Sequence, residues 1–244
     1  HTTILYLDNT PPSTTASYDP CSKALTLSAS DAGCGVSATY YRVNGGGWKL
    51  YAGPVDFSCA GTGWYTVDFY SVDNLNNMES VKSITFYVDN SPPETSLELG
   101  NPKYWNGSLW FVSSSTSITL STSDDSGVNS TYYRIVGVTD WQLYAAPFTL
   151  SGLPDGLYTI EYYSVDIYGN VEEVNSLTLY LDNTPPATAA EYDNQTLTLV
   201  LSASDEGSGV NATYYRINGG EWQEYAGPIN FSGYAPGEYT VDFY

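Results

Sequence analysis

The chain has 244 residues, 42% of them hydrophobic and only 14% charged, with 7 Lys+Arg against 27 Asp+Glu for a formal net charge of −20. That balance argues against a basic surface for nucleic acid or anionic membrane, and an apolar content that includes 24 Tyr is too rich for a disordered chain. There is no apolar run long enough for a transmembrane helix, about 18 residues, and no secretory signal stands in the sequence.

The first predicted element is a strand within residues 1–9, "HTTILYLDN". Pro11 and Pro12 then forbid helix and stiffen the joint to the next segment. Seven strands come next. "STTASY" and "ALTLSAS" are separated from "ATYYRV" by a Gly-rich acidic turn from Asp31 to Gly35, and "NGGG" makes a tight hairpin into "WKLY". "VDFS", "WYTVDFYSV" and "SITFYV" complete the set. Alternation of apolar and polar residues, with abundant Thr, Tyr and Val, favours strand throughout, and the spacing suits an immunoglobulin-sized β-sandwich.

The pattern then returns twice. "DNTPP", "DNSPP" and "DNTPP" start at Asp8, Asp89 and Asp182, "GVSATYYR", "GVNSTYYR" and "GVNATYYR" end at Arg42, Arg134 and Arg216, and "YTVDFY", "YTIEYY" and "YTVDFY" start at Tyr65, Tyr158 and Tyr239. Self-similarity of this kind marks tandem modules. The expected fold class is all-β: three tandem Ig-like β-sandwiches over residues 10–89, 90–182 and 183–244, the last lacking its final strand, plus a donor strand over residues 1–9.

The two irregularities are complementary. Ile84, Phe86 and Val88 of the first repeat, and Leu177, Leu179 and Leu181 of the second, share one face of the seventh strand; Thr3, Leu5 and Leu7 hold the matching positions near the N-terminus. The expectation is that Thr3, Ile4, Leu5, Tyr6 and Leu7 of one copy enter the empty edge beside Tyr239, Val241 and Phe243 of the next. Such a contact is head to tail and builds an extracellular filament with copies of the same chain as partners. The alternative is that these residues are a window onto a longer surface stalk or adhesin.

Three cysteines lie in the first repeat. In a sandwich the turns holding Cys21 and Cys59 share one end and Cys34 the other, which predicts a Cys21–Cys59 disulfide and a free Cys34; three reduced thiols are the alternative. Glycan acceptor motifs occur at Asn106, Asn129, Asn194, Asn211 and Asn230, with Asn129 and Asn211 at equivalent positions, in keeping with a secreted glycoprotein. Acidic turns place Asp31, Asp73, Asp124, Asp166 and Asp205 at the end of each sandwich that meets the incoming linker, with Glu79, Glu172 and Glu173 nearby. These are candidate ligands for Ca²⁺, a hard cation that takes oxygen; alternatively the Asp side chains cap their own turns.

Trp48, Trp141 and Trp222 follow the hairpin of each repeat and read as packing residues or, in a carbohydrate-binding module, as stacking platforms. "YWNGSLWF" is unique to the second repeat, making Trp105 and Trp110 the better candidates for a lateral contact or a ligand. Catalysis finds no support: the only His is His1, no Ser–His or Cys–His pair is available, and the paired carboxylates recur in every repeat where an active site would be unique. No enzyme activity and no required cofactor are expected, Ca²⁺ being the one candidate ion.

The stretch "D.GSGV..TYYR.NGG.W..Y.GP" resembles tandem Ig-like and fibronectin type III-like repeats of archaeal and bacterial cell-surface proteins, and the resemblance covers nearly the whole chain. It implies stalks, spacers or adhesive elements at the cell surface. The motif "D..GN.E" of such repeats is clear from Asp166 to Glu172, degraded in the first repeat and absent from the third.

Overall fold

The computed structural model describes residues 1–244, built of strands and turns. None of its elements is a helix long and apolar enough to cross a membrane. The chain divides into two compact units, one of residues 1–94, 122–131 and 163–173, the other of residues 95–121, 132–162 and 174–244.

In the first unit the expected seven strands form: β1 (Ser13–Asp19), β2 (Ala24–Ser30), β3 (Val36–Val43), β4 (Lys49–Leu50), β5 (Val55–Asp56), β6 (Gly63–Asp73) and β7 (Lys82–Val88). One sheet has the order β1-β2-β5 and the other β4-β3-β6-β7, with antiparallel neighbours. Leu25, Leu27 and Phe57 meet Val67, Phe69, Phe86 and Val88 to make the core. At the expected hairpin "NGGG" the chain turns on Asn44 and Gly45 at φ +50° and +71°, closed by Gly46 N donating to Val43 O at 2.9 Å, and β3 pairs with β4 from Tyr41 and Lys49 outward. Along β6 the buried face changes character, from Val67 and Phe69 to Ser71 and Asp73. Hydroxyls fill that end: Thr14 Oγ1 and Thr39 Oγ1 lie 2.6 and 2.7 Å from Ser71 Oγ.

The second unit holds two apolar clusters. The next strands along the chain are β8 (Glu94–Leu99), β9 (Lys103–Trp105), β10 (Trp110–Val112), β11 (Ile118–Ser123), β12 (Val128–Ile135), β13 (Gln142–Leu143), β14 (Gly156–Asp166) and β15 (Asn175–Leu181), of which residues 122–131 and 163–166 belong to the first unit. Sheets of order β13-β12-β14-β15-β10-β9 and β11-β8 enclose Leu99, Val112, Ile118, Leu120, Ile135, Leu150, Ile160, Leu179 and Leu181. The unique aromatic insertion pairs within the chain. It folds as the β9–β10 hairpin, and β10 runs parallel to β15 with Trp110 opposite Leu179. An Asn106–Gly107 turn between two aromatic runs, with Gly107 at φ +102°, is the signal for that hairpin.

Further along are β16 (Ala187–Asp193), β17 (Thr198–Ser204), β18 (Tyr214–Ile217), β19 (Gln223–Glu224), β20 (Ile229–Asn230) and β21 (Val241–Phe243), in sheets of order β16-β17-β20 and β19-β18-β21. The buried part of this cluster is only Leu199, Leu201 and Ile229.

Candidate functional site

Two features stand out: an apolar groove beside β21, and acidic clusters at the Asp-Asn-x-Pro-Pro junctions. The groove has a volume of about 590 Å³ and is lined by Tyr192, Leu199, Phe231, Tyr239, Val241 and Phe243 among others. The first repeat explains its shape. There Leu25, Phe57, Val67 and Phe69 hold the positions of Leu199, Phe231, Val241 and Phe243, and they pack on Phe86 and Val88 of β7. Phe57 and Phe86 rings meet edge to face at 5.1 Å, and Tyr18 stacks on Phe86 at 3.9 Å. β6 has β3 on one side and β7 on the other, whereas β21 has β18 on one side and is the edge of its sheet. Phe69 is 4% exposed but Phe243 36%.

A segment of matching pattern is bare. Ile4, Leu5, Tyr6 and Leu7 lie outside any strand and are highly exposed, up to 91% for Ile4. The inward alternation expected for the seventh strand is present where that strand exists, with Phe86, Val88, Leu179 and Leu181 buried.

The acidic residues gather at the junctions. One oxygen each of Asp8, Asp31 and Asp73 lies with Cys34 Sγ in a group no wider than 4.8 Å, and Asp89, Asp124 and Asp166 form a second such group. The sequence paired Asp31 with Asp73 and Asp124 with Asp166, but it passed over Asp8 and Asp89. Their signal is the fixed Asp that opens every Asp-Asn-x-Pro-Pro. Asp205 caps its own turn, accepting from Gly207 N and Gly209 N at 3.0 and 2.8 Å, while Asp182 accepts from Ser208 N at 2.6 Å.

Asp8 is held well below the usual carboxylate range by the Thr10 hydroxyl and by backbone N–H groups of Cys34 and Thr10. Burial, with Asp8 and Asp73 beside it, pushes the Cys34 thiol up to about 11, so it stays protonated at neutral pH. Asp73 is buried, which alone would raise it, yet bonds from Asn77 outweigh that and hold it low.

Glu79 is a clamp and not a junction ligand. Its Oε1 accepts from Ser71 N at 2.8 Å and from Thr14 Oγ1, and its Oε2 accepts from Thr14 N at 3.1 Å and from Lys82 Nζ at 2.9 Å. β1 is thereby fixed to β6. Glu172 repeats one part of this, accepting from Ser164 N at 3.0 Å.

Each hairpin Trp is covered by its own Arg. The guanidinium carbons of Arg42, Arg134 and Arg216 lie 4.7 Å over Trp48, Trp141 and Trp222, and Nε of each Arg also donates to Asp68, Glu161 or Asp242. That supports packing for these three. Trp105 and Trp110 meet at 5.1 Å and 48°, with Trp105 47% exposed and Lys103 Nζ 5.4 Å over Trp110. Cys21 and Cys59 are free and exposed, and Cys34 is free and half-buried. Their turns nonetheless adjoin, since Phe57 N donates to Lys23 O at 2.8 Å. Asn106, Asn129, Asn194, Asn211 and Asn230 are all exposed.

The sequence profile of the bacterial Ig-like domain (group 3) matches residues 142–203, crossing the Asp182 junction. The chain carries tandem Ig-like repeats. No curated protein sequence matches it. Among solved structures, it is similar to a tetra-tandem repeat in the extending region of a large adhesion protein, at 18% identity and a TM-score of 0.30 over 95% of this chain and 69% of that one. Fibronectin(III)-like modules of Clostridium thermocellum CbhA match at 14% identity and a TM-score of 0.35, over 70% of this chain and 94% of theirs. Latent PorU of Porphyromonas gingivalis matches at 13% and 0.33 over 91% of this chain but only 28% of its own length.

Proposed function

We propose that these Ig-like repeats are a non-catalytic structural element of an extracellular, cell-surface assembly, in which the groove beside β21 takes a seventh strand from a second copy of the chain. The segment with the right pattern is Thr3–Leu7. Leu5 and Leu7 would take the places that Phe86 and Val88 hold in the first repeat, and the backbone would extend the β19-β18-β21 sheet. The observation that carries this reading is the contrast between Phe69, buried under β7, and Phe243, open to solvent. Each inserted Leu would contribute roughly 1.5–3 kcal/mol and each net ladder bond about 0.5–1.5 kcal/mol, less the cost of ordering the segment. Asn129 and Asn211, exposed and equivalent, are the first candidates to carry glycans.

A second reading rests on the tandem repeats themselves: the same groove is filled by the next seventh strand of a longer surface stalk. Sedimentation and electron microscopy of the chain with and without residues 1–9 separate the two. Strand donation predicts concentration-dependent linear polymers for the full chain, monomers for the deleted one, and saturable binding of a synthetic TTILYLDN peptide that raises the melting temperature of the deleted chain. Peptide binding without polymers favours the stalk. If polymers and peptide binding are both absent, the idea that the groove is a strand site is overturned.

A further inference from the structure

The second acidic junction differs from its counterparts by one residue of loop. The first loop, Asp31–Gly35, reads Asp-Ala-Gly-Cys-Gly, and that at Asp205–Gly209 reads Asp-Glu-Gly-Ser-Gly; the loop at Asp124–Gly127 is Asp-Asp-Ser-Gly. In the longer loops the fourth residue points its N–H at the junction carboxylate, Cys34 N to Asp8 Oδ2 at 2.7 Å and Ser208 N to Asp182 Oδ2 at 2.6 Å. Those loops close tightly: a Cβ on Gly33 would fall 2.0 Å from Asp8 Oδ2, and one on Gly207 2.4 Å from Asp182 Oδ2. The short loop has no residue to do this. Ser126 N and Gly127 N both turn back onto Asp124 Oδ1, at 2.9 and 3.1 Å. Asp89 Oδ1 accepts from Ser91 N at 2.9 Å, but Asp89 Oδ2 is buried with no hydrogen-bond partner on a residue only 3% exposed.

We propose that Asp89, Asp124 and Asp166 form a divalent-cation site selective for Ca²⁺, and that loop length opens this junction to the ion while closing the other two. One oxygen from each carboxylate lies within 4.8 Å of the others, the spread of a shell around an ion that sits about 2.3–2.6 Å from each ligand. The donors are carboxylate oxygens with no imidazole or thiolate, which suits a hard cation. Asn170 organises the site by donating Nδ2–H to Asp166 Oδ2 at 2.6 Å and to the Asp89 carbonyl at 3.1 Å. Lys23, the nearby ammonium, bonds Asn170 Oδ1 at 2.5 Å. Asp89 Oδ2 has lost water with no bond to compensate, a cost that a cation bound within the group would remove. Asp31 Oδ1 in the first junction also lacks a partner, but there both Asp8 oxygens are engaged, by Thr10 and by Cys34 N, and the fourth group is a thiol.

The test is titration of the EDTA-treated full chain with CaCl₂ by calorimetry, and with Tb³⁺ by luminescence, alongside thermal melts. One saturable site per chain and a melting temperature that rises with Ca²⁺ are expected. Affinity should fall at least tenfold in Asp89→Asn and Asp124→Asn, which keep the turn bonds, and stay unchanged in Asp8→Asn and Asp182→Asn. Should an Asn variant lose its β-sheet signal, insertion of Gly between Asp125 and Ser126, copying the loop at Asp205, decides instead by abolishing the site. Absence of saturable binding in the parent chain overturns the proposal. So does binding that survives both Asn substitutions or the Gly insertion, and so do several equal sites, which would assign the ion to ordinary acidic turns.

Discussion

Replacing Glu79 should expose how much of the first repeat depends on one carboxylate. Two buried backbone donors converge on it, Ser71 N and Thr14 N, from residues 0% and 2% exposed. Glu79→Ala leaves both without acceptors, at about 1–3 kcal/mol each, while the Thr14 hydroxyl can turn wholly to Ser71 Oγ. Lys82, whose side chain is 38% exposed, keeps its bond to Thr14 O at 2.9 Å, and its lost ion pair adds little. The expected cost is about 3–5 kcal/mol for Ala. Glu79→Gln keeps one acceptor oxygen but faces the other donor with an amide NH₂, so about 1–3 kcal/mol is lost. For a sandwich of this size that is roughly 4–8 °C of melting temperature per kcal/mol. Differential scanning calorimetry of both variants, with Lys82→Met as control, reads the result. A Glu79→Gln chain melting within about 2 °C of the parent, or a Lys82→Met chain losing as much as Glu79→Ala, would refute the clamp.

Acid should weaken the first unit before it weakens anything held by apolar burial alone. Asp8, Asp73 and Glu79 are held below their ordinary values in the fold, so the unfolded chain binds more protons as pH falls through the carboxylate range. Melting temperature in about 0.15 M salt, where self-repulsion of the negative chain is screened, should be level from neutrality to about pH 5 and fall steeply below about pH 4.5; a rise there would contradict the bonding. Trp48→Ala should cost about 1 kcal/mol by uncovering Arg42 and leave any sugar affinity untouched, which calorimetry and a glycan array would check. Mild oxidation should join Cys21 to Cys59 and stabilise the first repeat by roughly 4 kcal/mol, leaving one titratable thiol on denaturation; three thiols after oxidation would refute it.

Strand positions were legible because alternation, Gly turns and the repeats all pointed the same way. "ALTLSAS" gave β2 at its observed ends, and "NGGG" gave the hairpin at Asn44. The β9–β10 hairpin was missed for a physical reason. Its strands are three residues each, too short for period-2 alternation to register, and its parallel partner β15 lies far along the sequence. At the junctions, turn residues announced Asp31, Asp73, Asp124 and Asp166. Asp8 and Asp89 were hidden because each belongs to a linker whose Pro-Pro signals stiffness, and only the fold brings a linker carboxylate against the turns. The difference between a four-residue and a five-residue loop was visible in letters, but its effect on an oxygen of a residue 3% exposed was not.

The change of face along β6 bears on temperature. Half of that buried stripe is hydrocarbon and half is hydroxyl and carboxylate, with Thr14, Thr39, Ser71 and Glu79 linked in one network. Unfolding therefore exposes polar surface, which lowers heat capacity, together with apolar surface, which raises it. The net increment is smaller than an all-apolar stripe of the same area would give, which flattens the dependence of stability on temperature.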